Sequence, residues 1–263
     1  MIKYWILNHQ IKAFFEEEVI RLFSNHYAYE VIRLINGRPL FYELHYKRLL
    51  KTCGNHYPST LTSLQVLKDE ILLVAAQNKL KNINIKIIIN KDYRAVFALA
   101  STYPKTEDYL RGVKCNLLFD ERENPEIKVF QAELRKKVDE KKQTDGVFES
   151  ILVNRDGYIT EGSKSNIFFI KGAELYTAPD YLVLSGITRQ KVIEICKEHA
   201  YQLNQKAIRY QDLAQYNSAF ICGTSPGILP IKTIEGVNFQ VANPILENIH
   251  KTYHNFLKIE HQQ

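Results

Sequence analysis

Cysteine is scarce in this chain and never closely paired: Cys53, Cys115, Cys196 and Cys222 are scattered, with no CxxC among them. That spacing argues against a zinc site and a disulfide framework and fits a reducing cytoplasm. Glycine and proline are also few, 11 and 8 in 263 residues, which excludes fibrous and low-complexity classes. No run of 18 apolar residues occurs, and Met1 to Phe15 is interrupted by Lys3, His9 and Lys12, so neither a membrane span nor a secretory leader is expected. A GxSxG elbow, a Walker loop and a GxGxxG fingerprint are missing as well.

What remains is a globular composition, 45% hydrophobic and 24% charged, enough for one large or two modest domains. The formal charge of +6 raises the question of nucleic acid. Much of it, however, sits in Arg135, Lys136, Lys137, Lys141 and Lys142, interleaved with Glu133, Asp139 and Glu140, a pattern that reads as a solvated helix face. His250 and His254 lie four apart on an expected helix; with no HExxH glutamate and no third ligand in view, they read as surface or packing residues, and no metal is expected.

Hydrophobic periodicity predicts strands at Tyr4 to Leu7 and Tyr29 to Ile35, the second turned by Asn36-Gly37 into a hairpin. Helical spacing follows at Leu44 to Thr52 and Leu61 to Gln77, then strands at Ile83 to Ile89 and Arg94 to Ala100. Ser101 to Gly112 reads as a linker. Beyond it come a strand at Val113 to Phe119, a helix from Glu126 to about Lys142, and hairpins across Asp156-Gly157 and Lys171-Gly172. A helix from Thr188 to Ala200, a strand at Ser218 to Cys222 and a helix from Pro244 to Leu257 complete the pattern. The fold class is therefore α+β, with two domains built on mainly antiparallel sheets: a smaller N-terminal one over residues 1–107 and a larger one over 108–263.

Two segments of the second half place tight-turn and hydroxyl residues where a phosphate can be held. Gly186-Ile187-Thr188 opens a helix, whose first N–H groups are available to an anion, and Gly223-Thr224-Ser225 follows a strand. Each alone is an ordinary N-cap or turn. Together with Thr160-Glu161-Gly162-Ser163-Lys164-Ser165-Asn166-Ile167-Phe168, Leu184-Ser185-Gly186-Ile187-Thr188-Arg189 and Pro230, they occur in the order seen in class IV aminotransferases. The chain resembles that family, which includes branched-chain aminotransferases, D-amino acid aminotransferases and aminodeoxychorismate lyases.

The resemblance implies pyridoxal 5′-phosphate in a cleft between the two domains, held mainly by the second. Lys128, in Ile127-Lys128-Val129-Phe130-Gln131, matches the Schiff-base lysine, and its apolar flanks suit an amine that must lose its proton. Glu161 matches the carboxylate facing the pyridine nitrogen, which makes the ring an electron sink. Arg48 matches the arginine that grips the phosphate, with the Ile187 backbone, Thr188 and Thr224 completing that grip and Leu184 packing on a ring face. Tyr29 matches an aromatic near the substrate, and Ser225 is a candidate beside it.

The chain also departs from the pattern. Ser24-Asn25-His26-Tyr27 stands where a glycine-containing loop is usual, and Asn90-Lys91 where many members have an arginine-glycine pair that takes the substrate carboxylate. Lys86 and Arg94 are the candidate replacements. Val31 occupies a place where lyases often carry a hydroxyl, whereas the compact length and the Lys128-Val129-Phe130-Gln131 segment look lyase-like. The expected activity is thus an aminodeoxychorismate-lyase-like reaction yielding 4-aminobenzoate and pyruvate, with branched-chain or D-amino acid transamination to 2-oxoglutarate as the alternative. A degenerate, non-catalytic member is a third reading. The expected partners are a small amino substrate and, by resemblance, a second copy in a homodimer, with no nucleic acid and no membrane.

Overall fold

The computed structural model describes residues 2–24, 26–54, 57–101 and 103–260. Asn25 and Thr102, which fall within the loop and the linker just named, lie outside them. Contacts within the chain gather it into two compact units: Met1–Thr102 with Ile127–Gln131 and Leu257–Gln263, and Tyr103–Glu126 with Ala132–Phe256. The short segment around Lys128 thus belongs with the N-terminal unit, on the other side of the 107/108 division from its sequence neighbours.

The first unit contains β1 (Tyr4–Leu7), β2 (Gln10–Ala13), α1 (Glu16–Leu22), β3 (Ala28–Ile35), β4 (Arg38–Pro39), α2 (Tyr42–Cys53), α3 (Leu64–Gln77), β5 (Ile83–Ile89) and β6 (Arg94–Leu99). Its sheet runs β2-β1-β6-β5-β3-β4, antiparallel throughout. β3 alternates strictly, with Ala28, Glu30, Ile32 and Leu34 buried and the residues between them half-buried, so its two faces meet different surroundings. Ile32, Leu34, Ile85, Ile87 and Ile89 pack with Leu49 and Cys53 of α2 and with Leu67, Ile71 and Val74 of α3. Those helical residues recur every three or four positions, which puts them on one stripe. On the opposite face Trp5, Ile88, Ala95 and Phe97 gather Phe14, Tyr29 and Phe130. Asn36 and Gly37 both take positive φ, 52° and 81°, the pairing a two-residue hairpin turn requires.

The second unit contains α4 (Thr106–Arg111), β7 (Val113–Phe119), α5 (Ala132–Asp145), β8 (Glu149–Val153), β9 (Ile159–Gly162), β10 (Asn166–Lys171), β11 (Glu174–Thr177), α6 (Ile187–Glu198), β12 (Gln202–Gln205), β13 (Ser218–Gly223), β14 (Gly227–Ile234), β15 (Val237–Asn238) and most of α7 (Pro244–Glu260). Its sheet follows β12-β11-β10-β13-β14-β7-β8-β9, with β15 paired to β14. The β11–β12, β14–β7 and β7–β8 pairs are parallel and the others antiparallel. One face buries Ile151, Ile167, Phe169, Ile221 and Leu229, and Phe168 stacks on Phe220 with ring centroids 5.1 Å apart. No helix among the described residues is long and apolar enough to cross a membrane.

Two local expectations need correction. The helix expected from Glu126 begins only at Ala132, because Ile127–Gln131 pairs as an extended segment with β3: Ala28 bridges Val129, Tyr29 N donates to the Lys128 carbonyl at 3.0 Å and Phe130 N to that of Tyr27 at 2.9 Å. Its β-branched and aromatic residues favour that state once a partner strand exists. The expected linker holds α4. β14, at which no element was expected, carries Pro230 paired with Phe220. α5 buries only Val138, in keeping with a solvated helix. Trp5, wholly buried against Phe14 and Phe97, is the best single test of the first unit's packing. Trp5→Ala should lower the free energy of urea unfolding by about 3–5 kcal/mol, and a loss below about 1 kcal/mol would contradict it.

Candidate active site

In the second unit, the motif segments converge at one end of the sheet. β9 ends at Gly162, β10 begins at Asn166, and Asn166 pairs with Cys222 beside the Gly223–Ser225 turn. The turn between β9 and β10 is drawn around a buried acid, Glu149, which accepts from Ser163 Oγ at 2.6 Å, Ser165 Oγ at 3.0 Å, Ser150 N at 3.0 Å and Lys164 N at 3.3 Å. A carboxylate removed from water needs such donors.

Glu161, also buried, accepts from Arg122 Nε at 2.8 Å on one oxygen, and from Leu184 N at 3.2 Å and Asn166 Nδ2 at 3.3 Å on the other. Arg122 Nη2 reaches the Ser163 carbonyl at 2.9 Å, and Asn166 Nδ2 also donates to the Leu184 carbonyl at 2.9 Å. Glu161, Leu184 and Asn166 are therefore one hydrogen-bonded group. Gly186 is required beside it, since a Cβ there would lie 2.0 Å from Asn166 Oδ1. The same glycine starts α6 without a side-chain cap, and the first intrahelical bond runs from Gln190 N to the Gly186 carbonyl. The amides of Ile187, Thr188 and Arg189 thus have no partner inside the helix, the arrangement that receives an anion. Arg189 fixes this helix start by donating to the Ala178 carbonyl at 2.8 Å and to Asp180. Thr188 is buried at the helix start, while Thr224 and Ser225 are half-buried in the β13–β14 turn.

In the first unit, Lys128 Nζ lies 4.5 Å from the centre of the Tyr29 ring, and its backbone N donates to Thr52 Oγ1 at 3.1 Å. Lys86 Nζ stands over the rings of Tyr27, Tyr29 and Phe130 at 5.3, 5.6 and 6.0 Å. Tyr27 and Phe130 are stacked, centroids 4.8 Å apart. Lys86 is cross-strand from Val31, so Tyr29, Val31 and Lys86 share one face. Arg48 lies behind that sheet face, on α2: its Nε and Nη2 each donate to a Glu30 oxygen at 2.7 Å, and His45 Nδ1 meets the same carboxylate at 2.9 Å.

Burial alone would push the Glu30 carboxyl up, but the Arg48 guanidinium and its hydrogen bonds, with those of His45, hold it well below the usual carboxylate range. Burial lowers His45, and the cations Arg48 and Lys128 lower it further, against the pull of Glu30. At neutral pH His45 is then uncharged and its Nδ1–H donates to Glu30. Arg94, one candidate for the substrate carboxylate, is instead buried in an ion pair with Glu70 and donates from Nε to the Thr60 carbonyl at 3.1 Å. Asn90 closes its own turn, accepting from Asp92 N and Tyr93 N. Of the replacements considered, Lys86 is the one beside Tyr29.

A family model described as amino-transferase class IV matches residues 27–234. The chain belongs to the class IV aminotransferase family. Among curated relatives, the D-alanine aminotransferase of Bacillus licheniformis is 27% identical over 260 residues, covering 89% of this chain and 88% of that protein. Among solved structures, the T.th. branched-chain amino acid aminotransferase with pyridoxamine 5′-phosphate superposes with a TM-score of 0.83 at 19% identity, covering 97% of this chain and 94% of that one. A putative 4-amino-4-deoxychorismate lyase from Legionella pneumophila gives 0.80 at 18% identity, covering 90% and 93%. This class IV chain is accordingly a pyridoxal 5′-phosphate enzyme with the α+β fold of the family.

The residues present fit that cofactor: an uncapped helix start for a phosphate and a dry carboxylate, Glu161, for a protonated ring nitrogen. Sequence reasoning missed four supporting side chains. Glu30 left a signal, a lone acid at an inward position between Ala28 and Ile32, which demands a cation; His45 and Arg48, three apart on one helix, supply the answer. Glu149 and Arg122 left none, since neither stands out from its neighbours by period or motif. His250 and His254 bring their Nε2 atoms within 3.1 Å, with His250 stacked on Tyr109; among the described residues no group of three metal-ligating side chains forms.

Two outcomes follow from these contacts. Folded His45 resists a proton that the unfolded chain accepts near pH ~6.5, so stability present at pH 7 is lost as pH falls through that value, by at most ~1.4 kcal/mol per pH unit. His45→Gln should flatten the fall in unfolding free energy between pH 7 and 5; an unchanged slope would remove His45 as its source. Gly186→Ala should displace Asn166 and weaken cofactor retention in equilibrium dialysis about tenfold or more, on the order of 1.4 kcal/mol, and full retention would contradict the steric argument.

Proposed function

We propose that this enzyme is an aminotransferase acting on a small amino acid, with Lys128 as the amine that would hold the cofactor and move the proton. The carrying observation is the face shared by Tyr29, Val31 and Lys86: Lys128 Nζ lies over Tyr29, and the neighbouring Val31 offers no hydroxyl for a second proton relay. One amine moving a proton between two carbons is what transamination needs. Similarity to a D-alanine aminotransferase over most of both chains supports the same reading. The lyase expected first from the sequence is kept as the second reading, on the fold shared with a putative 4-amino-4-deoxychorismate lyase.

In this reading the cofactor supplies an electron sink that stabilises negative charge at the substrate α-carbon. The larger C-terminal domain, residues 108–263, would hold most of it. Glu161 would face the ring nitrogen, Leu184 would pack on the ring, and the amide of Ile187, the hydroxyls of Thr188 and Thr224, and Arg48 would receive the phosphate. Glu30 and His45 fix the plane of the Arg48 guanidinium. Lys86 receives the substrate carboxylate, with Tyr29 and Ser225 flanking the substrate. The protein works in the cytoplasm as a homodimer.

Purified enzyme should show a visible absorption band that Lys128→Ala abolishes. Supplied with a panel of L- and D-amino acids and 2-oxoglutarate, it should yield keto acid; 4-aminobenzoate from aminodeoxychorismate, without keto acid from any amino acid, would replace this reading by the lyase. A folded protein that takes up no cofactor would overturn both.

A further inference from the structure

Arg122 has no part in the roles assigned so far, yet it makes a short, direct contact to the acid on which the cofactor reading depends. Its Nε donates to Glu161 Oε1 at 2.8 Å, with the two side chains only 7% and 4% exposed. In so dry a setting a charge-assisted hydrogen bond is strong and barely screened. The other oxygen already accepts from Leu184 N and Asn166 Nδ2. A carboxylate has about four acceptor positions, so a further N–H arriving at Glu161 competes for charge with at least three donors.

We propose that Arg122 is a positioning residue that acts through Glu161: by sharing the carboxylate it weakens the hold on the pyridine nitrogen and so sets how fully the ring is protonated. The proposal rests on the reading that Glu161 faces that nitrogen. The degree of ring protonation governs how strongly the cofactor draws electrons from the substrate α-carbon, so Arg122 grades the sink between full and partial strength. A purely structural role is the alternative, because Arg122 Nη2 also reaches the Ser163 carbonyl. That turn has its own clamp, however: Glu149 accepts from Ser163, Ser165 and the Lys164 amide on the same few residues. A neutral side chain at position 122 therefore leaves the turn held while removing the charge that competes for Glu161.

The test uses holoenzyme reconstituted with cofactor labelled with nitrogen-15 in the ring, whose chemical shift reports protonation of that nitrogen without turnover. Wild type, Arg122→Gln, Arg122→Met, Arg122→Lys and Glu161→Gln are compared at one pH, with thermal melts as the check on folding. Both neutral variants should move the ring resonance towards the fully protonated value, and Arg122→Lys should return it towards wild type. A resonance unmoved in a folded neutral variant, or moved towards the unprotonated value, overturns the proposal. So does failure of both neutral variants to fold while Arg122→Lys folds, which assigns the residue to structure. Glu161→Gln separates the two levels: a resonance it leaves unchanged sinks the reading of Glu161 itself, whereas a shift there with none on neutralising Arg122 sinks only the role of Arg122.

Discussion

A carboxylate with almost no water around it, Glu149, organises the end of the larger sheet. Two hydroxyls and two amides close on its oxygens, and because three of the four come from Ser163, Lys164 and Ser165, the turn between β9 and β10 takes one shape. Glu161 and Asn166 flank that turn. Asn166 in turn ties down the Leu184 carbonyl, two residues before the glycine that opens α6. A buried acid and an uncapped helix start are thus set relative to one another by hydrogen bonds rather than by apolar packing, which tolerates sliding more readily.

The smaller unit uses the same device with a different result. Glu30 is buried where its strand neighbours on the same face are apolar, and Arg48 closes on it through two parallel hydrogen bonds. Removing one partner of such a pair costs far more than the pair contributes in place, since it strands a charge in a dry interior. Each unit therefore fixes a buried cation or acid by surrounding it with polar partners. Catalysis needs this kind of order, because reacting groups misplaced by even about 1 Å lose much of their effect.

Most of this fold was legible in the sequence. Val113–Phe119 and Ile83–Ile89 stand out by composition, and Asn36-Gly37 marks its own turn. The candidate site could be named only through ordered motifs: Glu161, Thr188 and Thr224 are ordinary residues until their neighbours are read together. What could not be read was anything set by distant pairing. The extended state of Ile127–Gln131 depends on β3, Pro230 is tolerated because of its neighbours in the sheet, and Arg122 carries no periodic signal at all. Local propensity is a weak guide wherever tertiary contacts decide.

The pairing of Ala28 with Val129 joins segments roughly a hundred residues apart in the chain. Contacts of such long range form late, after the loop entropy between them has been overcome. The amine of Lys128 therefore reaches its place over Tyr29 only when the sheet beneath it is complete. In an incomplete chain that amine is one more solvated lysine; in the folded one it stands over an aromatic ring.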